Sequence, residues 1–317
     1  MNIISDIRKR AKSQQKTIVL PRSSDERVVK AAEQLVKAGL CKVILLKNEG
    51  GEKLPEDLNV VDPKTDSRLA NYANLFYERR KHKGLSKEQA LEAVQDPLYF
   101  GAAMVALGDA DGCVAGSVST TGDVLRAAIQ TIGLKPDSKV VSSTFLMSFD
   151  DGRVFTYADC AVVPYPDAEQ LATIAMDSAK THKKVTGADP KVAMLSFSTR
   201  GSAEHERIDL VREALKIVKS HNIDFPIDGE LQFDTATVPT IADRKAPGSK
   251  VAGKANVFIF PNLDAANISY KITERLAGAA ATGPIIQGLA KPMMDLSRGC
   301  SWEDIVNTAC VCALMSD

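Results

Sequence analysis

Apolar and polar positions follow two periods along this chain, and the switches between them predict an α/β protein. Thr17 to Pro21 is a compact apolar run of strand length, and Ser24-Asp25-Glu26 carries the signature of a helix start. Val28, Ala31, Ala32, Leu35, Val36 and Leu40 then recur at helical spacing. Gly39-Leu40 closes that segment, and Lys42 to Leu46 is a second apolar run. Strand, helix and strand in this order form a βαβ unit, which predicts parallel pairing. A short helix at 3–13 precedes the unit, and Gly50-Gly51, Pro55 and Pro63 mark loops around a short strand near Asn59 to Val61.

The same reading predicts helices at 66–81, 86–94 and 97–108, then a strand from Gly112 to Val118. Ser119-Thr120-Thr121-Gly122-Asp123 opens a helix to Ile132, and Lys139 to Phe149 is another strand. Asp150-Asp151-Gly152 is a hairpin turn with Arg153 to Val163 returning antiparallel, which breaks the rhythm and marks a change of domain. Alternation then resumes with a helix at 167–184, a strand from Lys191 to Phe197 and a helix at 203–221. Ile227 to Leu231 reads as strand, Phe233 to Ile241 as helix, and Ala255 to Phe260 as a buried strand. A helix from Leu263 to Leu276, a strand from Pro284 to Gln287 and a terminal helix from Trp302 complete an α/β chain with a mixed, mostly parallel sheet.

Length and composition narrow the class. A chain of 317 residues suits two domains of roughly 150 residues each. Lys+Arg and Asp+Glu both number 40, which argues against a basic nucleic-acid surface. No run of about 18 apolar residues occurs, so no membrane span is expected. Met1 to Lys16 lacks the apolar centre of a signal peptide. The six cysteines form no CxxC pair, and Cys310-x-Cys312 has no His beside it. Reduced thiols in the cytoplasm and no metal site are the expectation.

Three strand-to-helix junctions are rich in small polar residues: Ser119 to Asp123 with Arg126 in the following turn, Ser196 to Ser202, and Ser297-Arg298-Gly299 before the terminal helix. Such junctions aim free N–H groups at anions in open α/β sheets. They also use Ser, Thr and Asp as helix caps with no ligand at all, and capping is the preferred account of any one alone. Ser301-x-x-Asp304 has the spacing of a capping box, while a carboxylate fixed there can also take a proton. The Arg298 guanidinium matches phosphate or carboxylate, or a surface ion pair. Arg79-Arg80-Lys81-His82-Lys83 reads first as a solvated helix end. No GxxxxGK[ST] or strand-linked GxGxxG is present.

Lys291-Pro292-x-x-Asp295-Leu296-Ser297-Arg298-Gly299-Cys300-Ser301 resembles the phosphate acetyl/butyryltransferase family. So do Thr121 to Ala128, Met194 to Thr199, Asp228 to Gln232, Ala255 to Ala265 and Gly283 to Gly288, in the same order over essentially the whole chain. The resemblance implies a two-domain fold like isocitrate and isopropylmalate dehydrogenases, with an interdomain cleft and a homodimer. Its division would be 1–141 plus 290–317 as the first domain and 142–289 as the second. It implies acetyl transfer between CoA, as a substrate, and phosphate, with no tightly bound cofactor and no metal. Propionyl or butyryl transfer is the nearest alternative, and a dehydrogenase or a non-catalytic CoA- or phosphate-binding module lies further off.

By position in the motifs, Ser297 and Arg298 match the family's active-site pair and Asp304 its base. Arg126 and Arg80 match substrate-contacting arginines, although the alignment at Arg80 could slip to Arg79. Thr121 and Ser119 join Arg126 as candidate substrate contacts. Met293-Met294 departs from the Val-Asn that many relatives carry, which bears on packing behind Asp295.

Overall fold

The computed structural model describes residues 3–48 and 54–316, so Gly50-Gly51 lies outside the described residues. In chain order the first elements are α1 (Ile3–Gln14), β1 (Thr17–Leu20), α2 (Glu26–Lys37), β2 (Lys42–Leu46), β3 (Asn59–Val61) and α3 (Leu69–Arg80). After a 3-10 turn at Lys81–Lys83 come α4 (Lys87–Val94), α5 (Pro97–Leu107), β4 (Gly112–Ala115) and α6 (Thr121–Thr131). The middle holds β5 (Ser142–Ser148), β6 (Val154–Ala158), α7 (Ala168–Thr186), β7 (Val192–Leu195), α8 (Glu206–Ser220) and β8 (Ile227–Leu231). The last elements are α9 (Phe233–Thr237), α10 (Pro239–Lys245), β9 (Val257–Ile259), α11 (Leu263–Ala277), β10 (Ala280–Gln287), β11 (Met293–Asp295) and α12 (Trp302–Met315).

Two compact units result. One comprises Ile4–Pro136 with Leu289–Asp317, and the other is built on Asp137–Gly288. In the first unit the sheet runs β11-β4-β1-β2-β3 with every pair parallel. Its central strands are buried on both faces, which explains why they read as unbroken apolar runs. In the second unit the order is β10-β5-β6-β9-β7-β8, antiparallel on the β10 side and parallel from β6 onward. The fold is thus α/β with mostly parallel sheets.

The Asp150-Asp151-Gly152 turn joins β5 and β6 as an antiparallel pair, with the Phe149 amide donating to the Arg153 carbonyl at 2.9 Å. Elsewhere the elements depart from the sequence expectation for local reasons. The helical stretch at 233–241 is two helices, because Pro239 holds Val238 extended between them. The strand expected to run to Val118 stops at Ala115, where Gly116 turns the chain at φ +109°. The strand expected at 284–287 begins at Ala280 and belongs to the second unit's sheet. What precedes the Ser297 turn is instead β11, three buried residues pairing parallel with β4. Met293 and Met294 are both fully buried there, and so short an apolar run gives too little periodicity to read.

Candidate active site

Parallel strands β1, β4 and β11 lie side by side, so the segments that follow their carboxyl ends are neighbours. These are the Pro21–Asp25 turn before α2, the Gly116–Thr120 turn before α6, and the Leu296–Ser301 turn before α12. Each helix start is capped from within: Asp25 by its side chain to the Arg27 amide, Thr120 to the Asp123 amide, and Ser301 to the Asp304 amide. The capping reading of these junctions is therefore right for Asp25, Thr120 and Ser301. It leaves the side chains around them to be accounted for.

Arg27 binds the three turns together. Its Nη1 donates to the carbonyl oxygens of Arg298 at 2.9 Å and Cys300 at 2.8 Å. Its Nη2 donates to the Ser117 carbonyl at 3.0 Å and to Asp25 Oδ2 at 2.9 Å. Burial alone would raise the Asp25 carboxyl, but the hydrogen bonds from Arg27 and Ser117 outweigh it and hold the carboxyl below its ordinary value. Both residues escaped sequence reasoning, since Asp25 reads as a cap and Arg27 as an ordinary helical arginine.

Within this frame Ser297 and Arg298 are exposed. The Ser297 hydroxyl accepts the Gly299 amide at 3.2 Å, and its carbonyl accepts the Cys300 amide at 3.0 Å, closing a tight turn. The Arg298 guanidinium has no hydrogen-bond or ion-pair partner among the described residues. Asp304 completes a full capping box: its Oδ2 accepts the Ser301 amide at 2.8 Å and the Ser301 hydroxyl at 2.9 Å. Its Oδ1 is left without a partner among the described residues and the side chain is exposed.

On the neighbouring strand end, the Thr121 hydroxyl donates to Asp295 Oδ2 at 2.6 Å, and the Ser119 hydroxyl accepts Arg22 Nη2 at 3.5 Å. Arg126 Nη1 donates to Asp123 Oδ1 at 2.7 Å, an exposed pair with little energetic weight. Arg80 ends α3, with no partner among the described residues, whereas Arg79 Nη1 donates to the Ile132 carbonyl at 2.9 Å and packs on Gly133. Burial raises the phenol of half-buried Tyr99; the charge of Arg126 and, more weakly, Arg80 offsets part of that rise, while Asp96 and Asp123 add to it. Arg79 is thus committed to the end of α6, while Arg80 makes no such tie among the described residues.

Cys300 is buried, which raises its thiol, with Arg27 offsetting part of the rise. Such a thiol is not activated as a nucleophile. The turn at Ser196–Ser202, in the other unit, is already filled by an anion of the chain's own. Glu230 accepts the Gly201 amide at 2.8 Å, the Ser198 hydroxyl at 3.0 Å, and Arg212 Nε and Nη2 at 2.9 and 3.0 Å. Burial pushes this carboxyl up, but those donors outweigh it and bring it down to about 2. That turn is held by its own carboxylate rather than kept open. Among the described residues no group of three or more His, Cys, Asp or Glu is placed to hold a metal ion, and no helix is long and apolar enough to cross a membrane.

A family model described as Phosphate acetyl/butaryl transferase matches residues 2–313. The chain belongs to this family. It is 48% identical over 327 residues to the phosphate acetyltransferase of Acetivibrio thermocellus, covering 100% of this chain and 98% of that one. The EutD phosphotransacetylase from Staphylococcus aureus superposes with a TM-score of 0.91 at 42% identity, covering 98% of both chains. A phosphotransacetylase from Streptococcus pyogenes superposes with a TM-score of 0.92 at 41% identity, covering 98% of this chain and 97% of that one. β11 and α12 flank the turn that holds Ser297 and Arg298, and Asp304 lies in the first turn of α12.

Proposed function

We propose that the protein catalyses the reversible reaction acetyl-CoA + phosphate = CoA + acetyl phosphate. The observation that carries this reading is the convergence of Ser297, Arg298 and Thr121 on adjacent strand ends, in a chain similar throughout its length to phosphate acetyltransferases. Exposed, unpartnered Arg298 suits a phosphoryl group, with Arg126 and Arg80 as further cations on the same unit.

In the direction of acetyl-CoA formation, Asp304 takes the proton of the CoA thiol, and the thiolate attacks the acetyl carbon of acetyl phosphate in a ternary complex. A carbon–sulfur bond forms, the carbon–oxygen bond to phosphate breaks, and phosphate leaves with the bonding pair. A free thiol ionises near a pKa of about 8.5, so a fixed base helps at neutral pH. The free Oδ1 of Asp304 supports that role, since capping occupies only Oδ2. Ser297 hydrogen-bonds the thiol or the developing oxyanion, and Arg298 stabilises the departing phosphate. Holding both substrates in attack geometry contributes effective molarities on the order of 10⁵ M or more in favourable systems. No acyl-cysteine is required, and the raised Cys300 thiol argues against one.

The protein works as a homodimer in the cytoplasm. Supporting a dimer, α11 exposes Ile268, Ile272 and Leu276 at four-residue spacing, the last with 83% of its surface free. All six cysteines are free thiols, which suits a reducing compartment. The test of function is thioester formation from CoA and a series of acyl phosphates. Acetyl phosphate should give the highest kcat/KM. A preference for butyryl phosphate would move the reading to the longer acyl groups, where one methylene is worth about 1–3 kcal/mol. No thioester from any of them would leave a non-catalytic binding module.

A further inference from the structure

Asp295 interrupts the apolar run of β11 between Met294 and Leu296, yet only 2% of its surface is exposed. A buried carboxyl costs stability unless its oxygens are satisfied, and here one is not. Oδ2 accepts the Thr121 hydroxyl at 2.6 Å, and the Leu296 amide beside the carboxyl favours its charged form. Oδ1 has no hydrogen-bond partner among the described residues and rests on Gly116, where an added Cβ would lie 2.4 Å from it. Gly116 also sits at φ +109°, so the β4 end is shaped to admit this carboxyl. A leucine at 295 would remove the unsatisfied oxygen but leave the first residue of α6 unheld. What the carboxyl joins is specific: α6, which bears Arg126, and a strand end two residues before Ser297.

We infer that Asp295 is a positioning residue for the proposed acetyl transfer, clamping the start of α6 through the Thr121 hydroxyl to the strand end that carries Ser297 and Arg298. The inference rests on the functional reading above. The groups facing the carboxyl are the Thr121 hydroxyl from α6, the Gly116 backbone after β4 and the Leu296 amide of its own segment. No charged side chain from these elements or from α12 contributes to its titration. Burial pushes the carboxyl up to about 6, partly offset by the Thr121 hydrogen bond and the nearby Leu296 amide. A hydroxyl donates more strongly to a carboxylate than to a neutral carboxyl, so the clamp tightens as pH rises through that value.

The experiment uses Asp295→Asn, Thr121→Val and the double variant in the full chain. It reads amide hydrogen exchange at the first turn of α6, kcat and KM for both substrates against pH, and the thermal midpoint. The Asn variant should melt at or above the parent at pH 7, because it no longer buries a charge. Its amide oxygen still accepts the Thr121 hydroxyl, but without the charge, so exchange at the start of α6 should quicken about threefold and kcat should fall about threefold, with both KM values little changed. The acid limb of kcat near pH 6 should vanish in the Asn variant. The double variant should lose no more than the worse single one, as for residues acting through one bond. Thr121→Val alone removes the donor outright, so it should quicken that exchange and lower kcat about tenfold or more, and it decides the matter by itself. Unchanged exchange and kcat in folded Thr121→Val overturns the clamp. If the parent forms no acetyl-CoA at all, the functional reading falls, and the exchange measurement still decides the clamp by itself.

Discussion

Arg27 Nη1 donates to the main-chain oxygen of Arg298 at 2.9 Å, across 271 positions of sequence. One arginine therefore holds the backbone of another whose own guanidinium is free, and the same fork also holds Cys300, Ser117 and Asp25. A planar guanidinium can serve four acceptors in fixed directions, whereas an ammonium cannot. Arg27→Lys should keep most of the stability yet lower kcat about tenfold or more, because the Ser297–Arg298 turn is no longer fixed. Arg27→Ala should lower kcat further and also destabilise the chain by about 2–4 kcal/mol, since Asp25 is left buried without its partner. Urea unfolding beside steady-state kinetics checks both, and a Lys variant with parental kcat would free the turn from Arg27.

Gly116 leaves no room for a side chain at the end of β4. An alanine there would place Cβ 2.4 Å from Asp295 Oδ1 and 2.5 Å from the Leu296 nitrogen, at a positive φ that only glycine adopts freely. Strain of this kind costs about 1–3 kcal/mol before any overlap is relieved. Gly116→Ala should therefore lower the unfolding midpoint and the turnover together, as calorimetry and the thioester assay would show.

Cys300 offers a test of the transfer route. An acyl-cysteine intermediate would let labelled phosphate exchange into acetyl phosphate in the absence of CoA. Direct attack in a ternary complex gives no such exchange, and Cys300→Ala should keep turnover within about threefold of the parent. Exchange without CoA that disappears in Cys300→Ala would establish the covalent route instead.

Glu230 predicts an acid dependence of stability. Its carboxyl titrates at about 2 in the folded chain and at 4.5 ordinarily. A depressed pKa contributes stability that is fully present above 4.5 and is lost as pH falls from there toward 2. The contribution at neutral pH is about 3 kcal/mol by linkage. Glu230→Gln should remove most of it at pH 7 and flatten the stability curve between pH 4.5 and 2, measured by urea unfolding at each pH.

The α/β class, the hairpin at Asp150–Gly152 and the capping box at Ser301–Asp304 were all legible, because periodicity and turn chemistry are local signals. β11 was not, since its role comes from pairing with β4 some 180 positions earlier and its own run is only three residues. The same non-locality hid Arg27, which looks like any helical surface arginine until the 298–300 turn arrives beside it. Ser297, Arg298 and Asp304 gain site roles through the family resemblance; spacing alone makes Asp304 a cap and leaves Arg298 balanced between an anion contact and a surface ion pair. In the other direction, Ser196–Ser202 looked as open to an anion as the other junctions, and only Glu230 from β8 reveals that its place is taken.

Asp304 carries the central claim, that one carboxylate both caps α12 and takes the thiol proton. Asp304→Asn separates the two roles, because the amide oxygen can still accept from the Ser301 amide and hydroxyl while the base is gone. The decisive measurement is kcat for acetyl-CoA formation in this variant, with its unfolding midpoint beside it. The account predicts a midpoint within a few degrees of the parent and a kcat lowered about 10²–10⁴-fold, with the KM for CoA little changed. A folded Asp304→Asn protein with near-parental kcat would contradict it and return Asp304 to capping alone.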